Sequence, residues 1–201
     1  MSDSKELILT AATKLFLQKN YKEVTMKDIV EKTGLSKGAF YHYFESKEQL
    51  FKEVIQYSVY SIMTIDFCRY SQESLRQFYR DYLDDQYTMA MSNITRYAEN
   101  NSGENGFNYF LLMFDAVKIF PEFLSKIKEV NNKEIEAWAA IAAVAKKNGE
   151  IVSKMSDEQI GRFFHHIEQG MSMQLVIEER IQDWKKEVSA LWDAFYEDLK
   201  A

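Results

Sequence analysis

The chain has 201 residues, 46% of them hydrophobic and 28% charged, with a formal net charge of −6. This is globular composition, which excludes a disordered or fibrous chain, and the acidic balance excludes unfocused binding to nucleic acid. With one Pro and seven Gly in the whole sequence, helix breakers are scarce, so an all-α fold is predicted over a turn-rich sheet protein.

The single Cys68 precludes an internal disulfide. The opening stretch MSDSKELIL lacks the basic-then-apolar shape of a signal peptide, so a cytoplasmic protein is expected. Residues 137–145 (AWAAIAAVA) form the longest apolar run. They fall far short of the ~20 residues a membrane helix needs and predict a buried helix and no membrane partner. The charge is uneven: residues 1–52 carry nine Lys against seven Asp and Glu, leaving −8 on the remainder. A polyanion would therefore meet the N-terminal part.

Leu7, Ala11 and Leu15, with Ile8, Ala12 and Phe16, repeat at four and predict a first helix ending near Lys19. Asn20 suits a left-handed cap after it. Thr25 with Asp28 opens a short second helix that Gly34 ends, and Ser36 caps a third carrying Phe40 and Phe44 at a spacing of four. Ser46 with Gln49 opens a fourth, expected to run from Lys47 towards Cys68 as a lever joining the N-terminal unit to the rest. Further helices are expected over residues 73–99, over 107–118, and from Pro121 to the Asn148-Gly149 stop. Two more follow, one from Ser156 through the stripe Ile160 to Leu175, and a last one carrying Val188 to Leu199. Residues 100–106 (NNSGENG) predict the clearest loop.

The second and third helices are joined by TGLS, a four-residue connection containing Gly34, which is the pattern of a helix-turn-helix over about residues 25–44. In such a unit the later helix enters the major groove, so exposed side chains near its start should be small or hydrogen-bonding. Lys37, Gly38, Ala39, Tyr41 and His42 meet that requirement, while Phe40 and Phe44 would face inward. Ser36, Lys37 and Tyr41 can hydrogen-bond phosphates, and Lys47 sits at a helix N-terminus, where an anion is favoured. From the residues alone, the alternative stands that the tyrosines are core and the lysines a solvated face.

The run VTMKDIVEKTGLSKGAFYHYFESKEQLFKEVI, after ILTAATKLFLQKNY, resembles the N-terminal domain of the TetR family of bacterial transcriptional regulators over about residues 4–56. The resemblance implies that residues 1–56 form the DNA-binding domain and 57–201 an effector-binding and dimerisation domain. It implies base or groove contacts from Lys37, Gly38, Ala39, Tyr41 and His42, and phosphate contacts from Thr25, Tyr41 and Lys47. Asn20 stands where the family most often has Gly.

After residue 56 no motif can be named. Tyr87, Met91, Phe107, Tyr109, Phe110, Met113, Phe114 and Trp138, with Phe120 and Phe123, supply more large apolar surface than polar groups. That suits a pocket for a lipophilic or aromatic effector, although any one of these residues can equally be core. Asp115 is the acidic candidate within this group and would favour a cationic ligand if it faced inward. The last two helices resemble the pair that forms the family's dimer, with Phe163, Ile167, Gly170, Met171, Leu191, Trp192 and Phe195 as interface candidates. Gly161, Gly170 and Ser172 would permit close approach between those helices.

His165 and Glu168 share a helix face, yet no second cluster at metal-ligand spacing accompanies them. A surface or dimer-contact histidine is therefore expected, with no metal and no cofactor. No phosphate loop or nucleophile motif suggests an enzyme. The expected function is a homodimeric repressor that leaves a palindromic operator when a small effector binds. An activator of the same fold is the alternative, and less so a helical carrier or enzyme with an idle DNA-binding unit.

Overall fold

The structure, a computed structural model, describes residues 3–60, 64–97 and 104–200, without the side chains of residues 60, 94, 95 and 104–107. Among the described residues it is all-α, and the one β feature is an isolated bridge between Ile151 and Lys200. The helices are α1 (Asp3–Gln18), α2 (Met26–Thr33), α3 (Lys37–Tyr41), α4 (Lys47–Val54), α5 (Leu75–Tyr97), α6 (Glu104–Ile119), α7 (Pro121–Lys147), α8 (Asp157–Ile177) and α9 (Trp184–Leu199). No helix among the described residues is long and apolar enough to cross a membrane.

The chain forms two compact units, Met1–Thr64 with Asn93–Lys126, and Ile65–Ser92 with Ile127–Ala201. The first therefore takes in α6 and the adjoining ends of α5 and α7 as well as the N-terminal helices. Its core is aromatic around α1 and α4. Phe16 meets Phe51 edge-on at 4.9 Å, Tyr21 lies 4.6 Å from Phe51, and Phe51 stacks on Phe120 at 6.0 Å. Its buried hydroxyls are satisfied within their own helices, Thr13 donating to the Leu9 carbonyl and Ser58 to that of Val54.

The second unit is built on Trp138, Trp192, Phe164 and Tyr79, all essentially inaccessible to solvent. Trp138 stacks on Phe164 at 4.9 Å and meets Trp192 edge-on at 5.0 Å. Burying each such ring contributes roughly 1.5–3 kcal/mol, with somewhat more from the edge-on pairs. The Glu150 carboxylate closes the start of α5, accepting from the Leu75 and Arg76 amides at 2.9 and 3.0 Å and from the Ser74 hydroxyl at 2.9 Å. Burial opposes its ionisation, but these donors hold its carboxyl below the ordinary range, as expected of an anion at a helix N-terminus.

Four expectations change. The fourth helix does not run unbroken to Cys68: α4 stops at Val54 and continues as a π-helical stretch, Ile55–Tyr60, followed after residues outside the description by a 3-10 turn, Phe67–Arg69. No Gly or Pro marks this break in the sequence. Asn20 is not left-handed, since Glu179 is the only described non-Gly residue with positive φ. Instead its Oδ1 accepts from the Lys22 and Glu23 amides at 3.0 and 3.1 Å, turning the chain after α1. Of the expected loop over residues 100–106, the last three residues already belong to α6, and the others lie outside the described residues. Gly161 serves a contact inside the chain: a Cβ there would lie 2.9 Å from the Ala139 nitrogen and 3.0 Å from the Ile135 carbonyl oxygen, so α8 packs directly on the α7 backbone.

Candidate nucleic-acid interface

The helix-turn-helix is fixed by caps. Thr25 and Asp28 form a reciprocal capping box at the start of α2, the Thr25 hydroxyl accepting from the Asp28 amide at 3.2 Å and donating to its carboxylate at 2.7 Å. Hydrogen bonds from the Thr25 side chain and backbone hold the Asp28 carboxyl below the usual carboxylate range. Gly34 ends α2 with φ of 67°, a left-handed conformation that disfavours any residue with a Cβ. Ser36 then caps α3 by accepting from the Ala39 amide at 3.3 Å.

Helix α3 has one buried side chain, Phe40, and Phe44 follows one turn later; both are 0% exposed. Ser36, Lys37, Gly38, Ala39, Tyr41 and His42 are exposed. The structure thus leaves all six of these expected contact residues exposed to solvent, with Tyr41 45% exposed beside the Phe40 ring. No atom lies within 4 Å of where a Cβ on Gly38 would be, so its small size leaves room for a close surface. Tyr43 is half-buried.

The two remaining expected contacts, Thr25 and Lys47, carry structural bonds. Thr25 is exposed and caps α2. Lys47 is half-buried: its ammonium donates to the Tyr21 and Val24 carbonyls, both at 2.9 Å, and lies 4.4 Å from the centre of the Tyr21 ring. It pins the α1–α2 connection to the start of α4, where Ser46 caps the helix by accepting from Gln49.

Three contacts inside the first unit tie these helices to α5, α6 and α7. The Tyr21 amide donates to the Asp115 carboxylate at 3.0 Å, so Asp115 holds the α1–α2 loop. Glu6 receives both the Tyr57 hydroxyl at 2.9 Å and the Arg96 guanidinium at 2.7 Å. Lys52 pairs with Glu122 at 2.9 Å. Beside that pair lies a groove of about 320 Å³ floored by Ile55, Phe120 and Phe123.

Of the expected effector residues, Tyr109, Phe110, Met113 and Phe114 belong to the first unit, and Tyr87, Met91 and Trp138 to the second. Phe107's side chain lies outside the described set. Phe114 is 56% exposed, whereas Trp138 is the centre of its unit's core. Tyr109 pairs with Tyr97 at 6.4 Å, and burial pushes its hydroxyl pKa up. Of the expected dimer residues, Phe163, Leu191 and Gly170 are exposed, Ile167, Met171 and Phe195 are half-buried, and Phe163 stacks on Phe195 at 5.1 Å. Trp192 lies beneath them, wholly buried and donating to the Phe164 carbonyl at 3.1 Å.

His165 is neither a surface nor a dimer-contact group. It is 2% exposed, with Glu134 and Glu168 as neighbours in the second unit's core. The sequence carried half the signal, the three-residue spacing from His165 to Glu168, but Glu134 comes from another helix. Among the described residues no group of three His, Cys, Asp or Glu side chains could hold a metal ion.

Residues 8–54 match the family described as bacterial regulatory proteins, tetR family. An HTH-type transcriptional regulator of Bacillus subtilis strain 168, YuxN, is 42% identical over 57 residues, covering 28% of this chain and 20% of that one. The transcriptional repressor KstR2 of Rhodococcus jostii strain RHA1 is 26% identical over 160 residues, covering 79% of this chain and 72% of that one. The matches to the first curated relatives span only 20% to 28% of those proteins' lengths. In fold, the chain is similar to NalD of Pseudomonas aeruginosa, the secondary repressor of the MexAB-OprM multidrug efflux pump, with a TM-score of 0.68 at 19% identity over 98% of this chain and 96% of that one. SmeT in complex with triclosan gives a TM-score of 0.65 at 14% identity, over 100% of this chain and 93% of that one. Residues 8–54 thus match the DNA-binding domain of bacterial regulatory proteins of the tetR family, and the whole chain shares the fold of the solved structures it resembles.

Proposed function

We propose that this protein is a homodimeric, effector-responsive transcriptional repressor that binds double-stranded DNA through α3. The observation that carries this is the division of α3 and its C-terminal turn: Phe40 and Phe44 are fully buried, while Lys37, Gly38, Ala39, Tyr41 and His42 are exposed. A short helix presenting small and hydrogen-bonding side chains at its N-terminal end fits the major groove. Ser36 and the amides at the start of α4, with Thr25, reach phosphates, and Lys47 acts mainly by fixing the loop that positions them. Repression is favoured over activation because KstR2 and NalD are described as repressors.

Two copies are needed to read a palindrome. The apolar stripe of Phe163, Ile167 and Ile177 on α8, beside Leu191 and Phe195 on α9, supplies a self-complementary face. Effector response is supported by the small-molecule complex of the structural relative SmeT. Helix α5 contributes Tyr82 to the second unit's core and Arg96 to the Glu6–Tyr57 cluster of the first.

The test is fluorescence anisotropy of the full-length protein on DNA from its own upstream region, titrated across salt. Specific binding whose log affinity falls linearly with log salt is expected, with a slope of several from the two subunits' phosphate contacts. Binding no tighter than to random duplex would end the proposal.

A further inference from the structure

The groove beside the Lys52–Glu122 pair lies wholly within the first unit, between the end of α4 with its π-helical continuation and the start of α7. At about 320 Å³ it stands at the lower end of the ~300–1,000 Å³ of small-molecule sites. Ile55, Phe120 and Phe123 form its floor, each less than a tenth exposed. Phe120 stacks on Phe51 at 6.0 Å, so the floor is the outer face of the aromatic core around α1 and α4 and is already in place. Pro121 opens α7 directly after Phe120, and the Phe123 amide donates to the Phe120 carbonyl at 2.9 Å, a tight corner that leaves both rings lining one groove. On the other wall the helix passes into its π-helical form at Ile55, and the buried Ser58 hydroxyl gives the Val54 carbonyl a donor there at 2.7 Å. Single π-helical turns continuing an α-helix are rare and are frequent at functional sites.

The rim carries the charge. Its ionisable side chains are Lys52, Lys126 and Glu122, an excess of one positive charge over an apolar floor. The Lys52 ammonium lies 2.9 Å from the Glu122 carboxylate and 5.5 Å from the centre of the Phe120 ring, so it stands where the apolar floor meets water. Lys52 first, and the Glu122 amide second, hold the Glu122 carboxyl below its ordinary range. The chain's own carboxylate thus occupies a place suited to one. It is easily exchanged, because the two side chains are 52% and 61% exposed and an ion pair in that setting contributes little to stability. A ligand with a cationic head would meet Lys52 and Lys126, whereas an anionic head finds a partner already standing at the end of the floor.

We propose that this groove binds an amphipathic carboxylate, a dissolved fatty acid of medium length, with its chain along Ile55, Phe120 and Phe123 and its head taking the place of Glu122 at Lys52. The exchange replaces one exposed ion pair by another and adds the burial of the chain, so each methylene covered strengthens binding up to about fourfold. Binding also removes the ion pair that ties α4 to the start of α7. None of the lining residues belongs to α3, so the site is separate from DNA recognition.

Isothermal titration of the full-length protein with decanoate and octanoate below their micelle concentrations, against decyltrimethylammonium as the cation of the same chain, tests this. One decanoate per chain is expected, bound roughly tenfold more tightly than octanoate and much more tightly than the ammonium. Lys52→Gln should weaken decanoate about fivefold, and Glu122→Gln, which removes the competing carboxylate, should tighten it by up to about as much. Gln56→Trp sets a large ring over the groove and should abolish binding. All three positions are exposed, so each variant should melt with the wild type. Failure of decanoate to bind, equal binding of decyltrimethylammonium, or unchanged affinity in both Lys52→Gln and Gln56→Trp would overturn the site. Retention on phosphatidylglycerol vesicles without binding of decanoate would make the groove a membrane contact and overturn it as well.

Discussion

The helix-turn-helix and the core of the second unit handle polar groups in opposite ways. Around α1 to α4 the buried side chains are apolar or, as with Thr13, hydroxyls satisfied within their own helix, and the polar groups that matter either cap helices or stand in water. In the second unit the charges are inside, where Glu134, His165 and Glu168 share a core with three tryptophans, Trp138, Trp184 and Trp192. The difference teaches where each unit keeps its chemistry. The first keeps its polar side chains outside, along α3, and the second holds three ionisable side chains inside.

The largest effects should come from the apolar anchors that both units share. Phe40→Ala removes a fully buried ring of α3 and is expected to destabilise the protein by about 3–5 kcal/mol in denaturant titration, with DNA binding lost as α3 loosens. Trp138→Ala should cost a similar amount but leave α3 intact, so loss of DNA binding at low temperature in that variant would blur the contrast between the units.

Next is the close approach of α8 to α7. Gly161→Ala places a methyl 2.9 Å from a backbone nitrogen that cannot move aside, and about 1–3 kcal/mol of destabilisation is expected. Gly170→Ala on the same helix meets nothing within 4 Å and should be neutral or stabilising by up to ~1 kcal/mol, because Ala favours helix. A thermal melt of the pair checks whether it is the contact or the glycine that matters.

The buried acids give a pH signature. Glu168 ionises near its ordinary value of 4.5 when unfolded but, through burial and the nearby Glu134 charge, only near 7 when folded. Stability from this group is therefore complete below about 4.5 and declines as pH rises towards 7, with Glu134, His165 and Tyr82 facing it throughout. Glu168→Gln cannot ionise, so its unfolding free energy should gain on the wild type between pH 5 and pH 8, by on the order of 1–3 kcal/mol at the top of the range. A constant difference across pH would contradict the buried pair. The smallest effect is Thr25→Ala, where loss of a cap should cost ~1 kcal/mol of stability.

The first unit was the more legible in sequence because its signals are local. Thr25 with Asp28, Gly34 and Ser36 each act within four residues and cap as expected, whereas of the capping box expected from Ser46 and Gln49 only the Ser46 half forms, the Gln49 side chain accepting from the Glu45 amide instead. The failures are non-local or competitive. Asn20 makes a side-chain turn where a left-handed cap was equally open to it, and nothing around Ile55 announces the π-helical stretch. Asp115 bonds the Tyr21 amide from 94 residues away, and Glu134 meets His165 only through helix packing. Burial of His165 and Glu168 could not be separated from exposure by spacing alone.

The central claim, that the exposed side chains of α3 read DNA, is tested most directly by Tyr41→Ala and Lys37→Ala in anisotropy titrations on the upstream DNA, with a melt of each variant as the control. Both side chains are exposed, so melting temperatures should stay within experimental error of the wild type while operator affinity falls roughly tenfold or more, and Lys37→Ala should also lower the salt slope by about one phosphate per subunit. Unchanged affinity and salt slope in both folded variants would contradict the account.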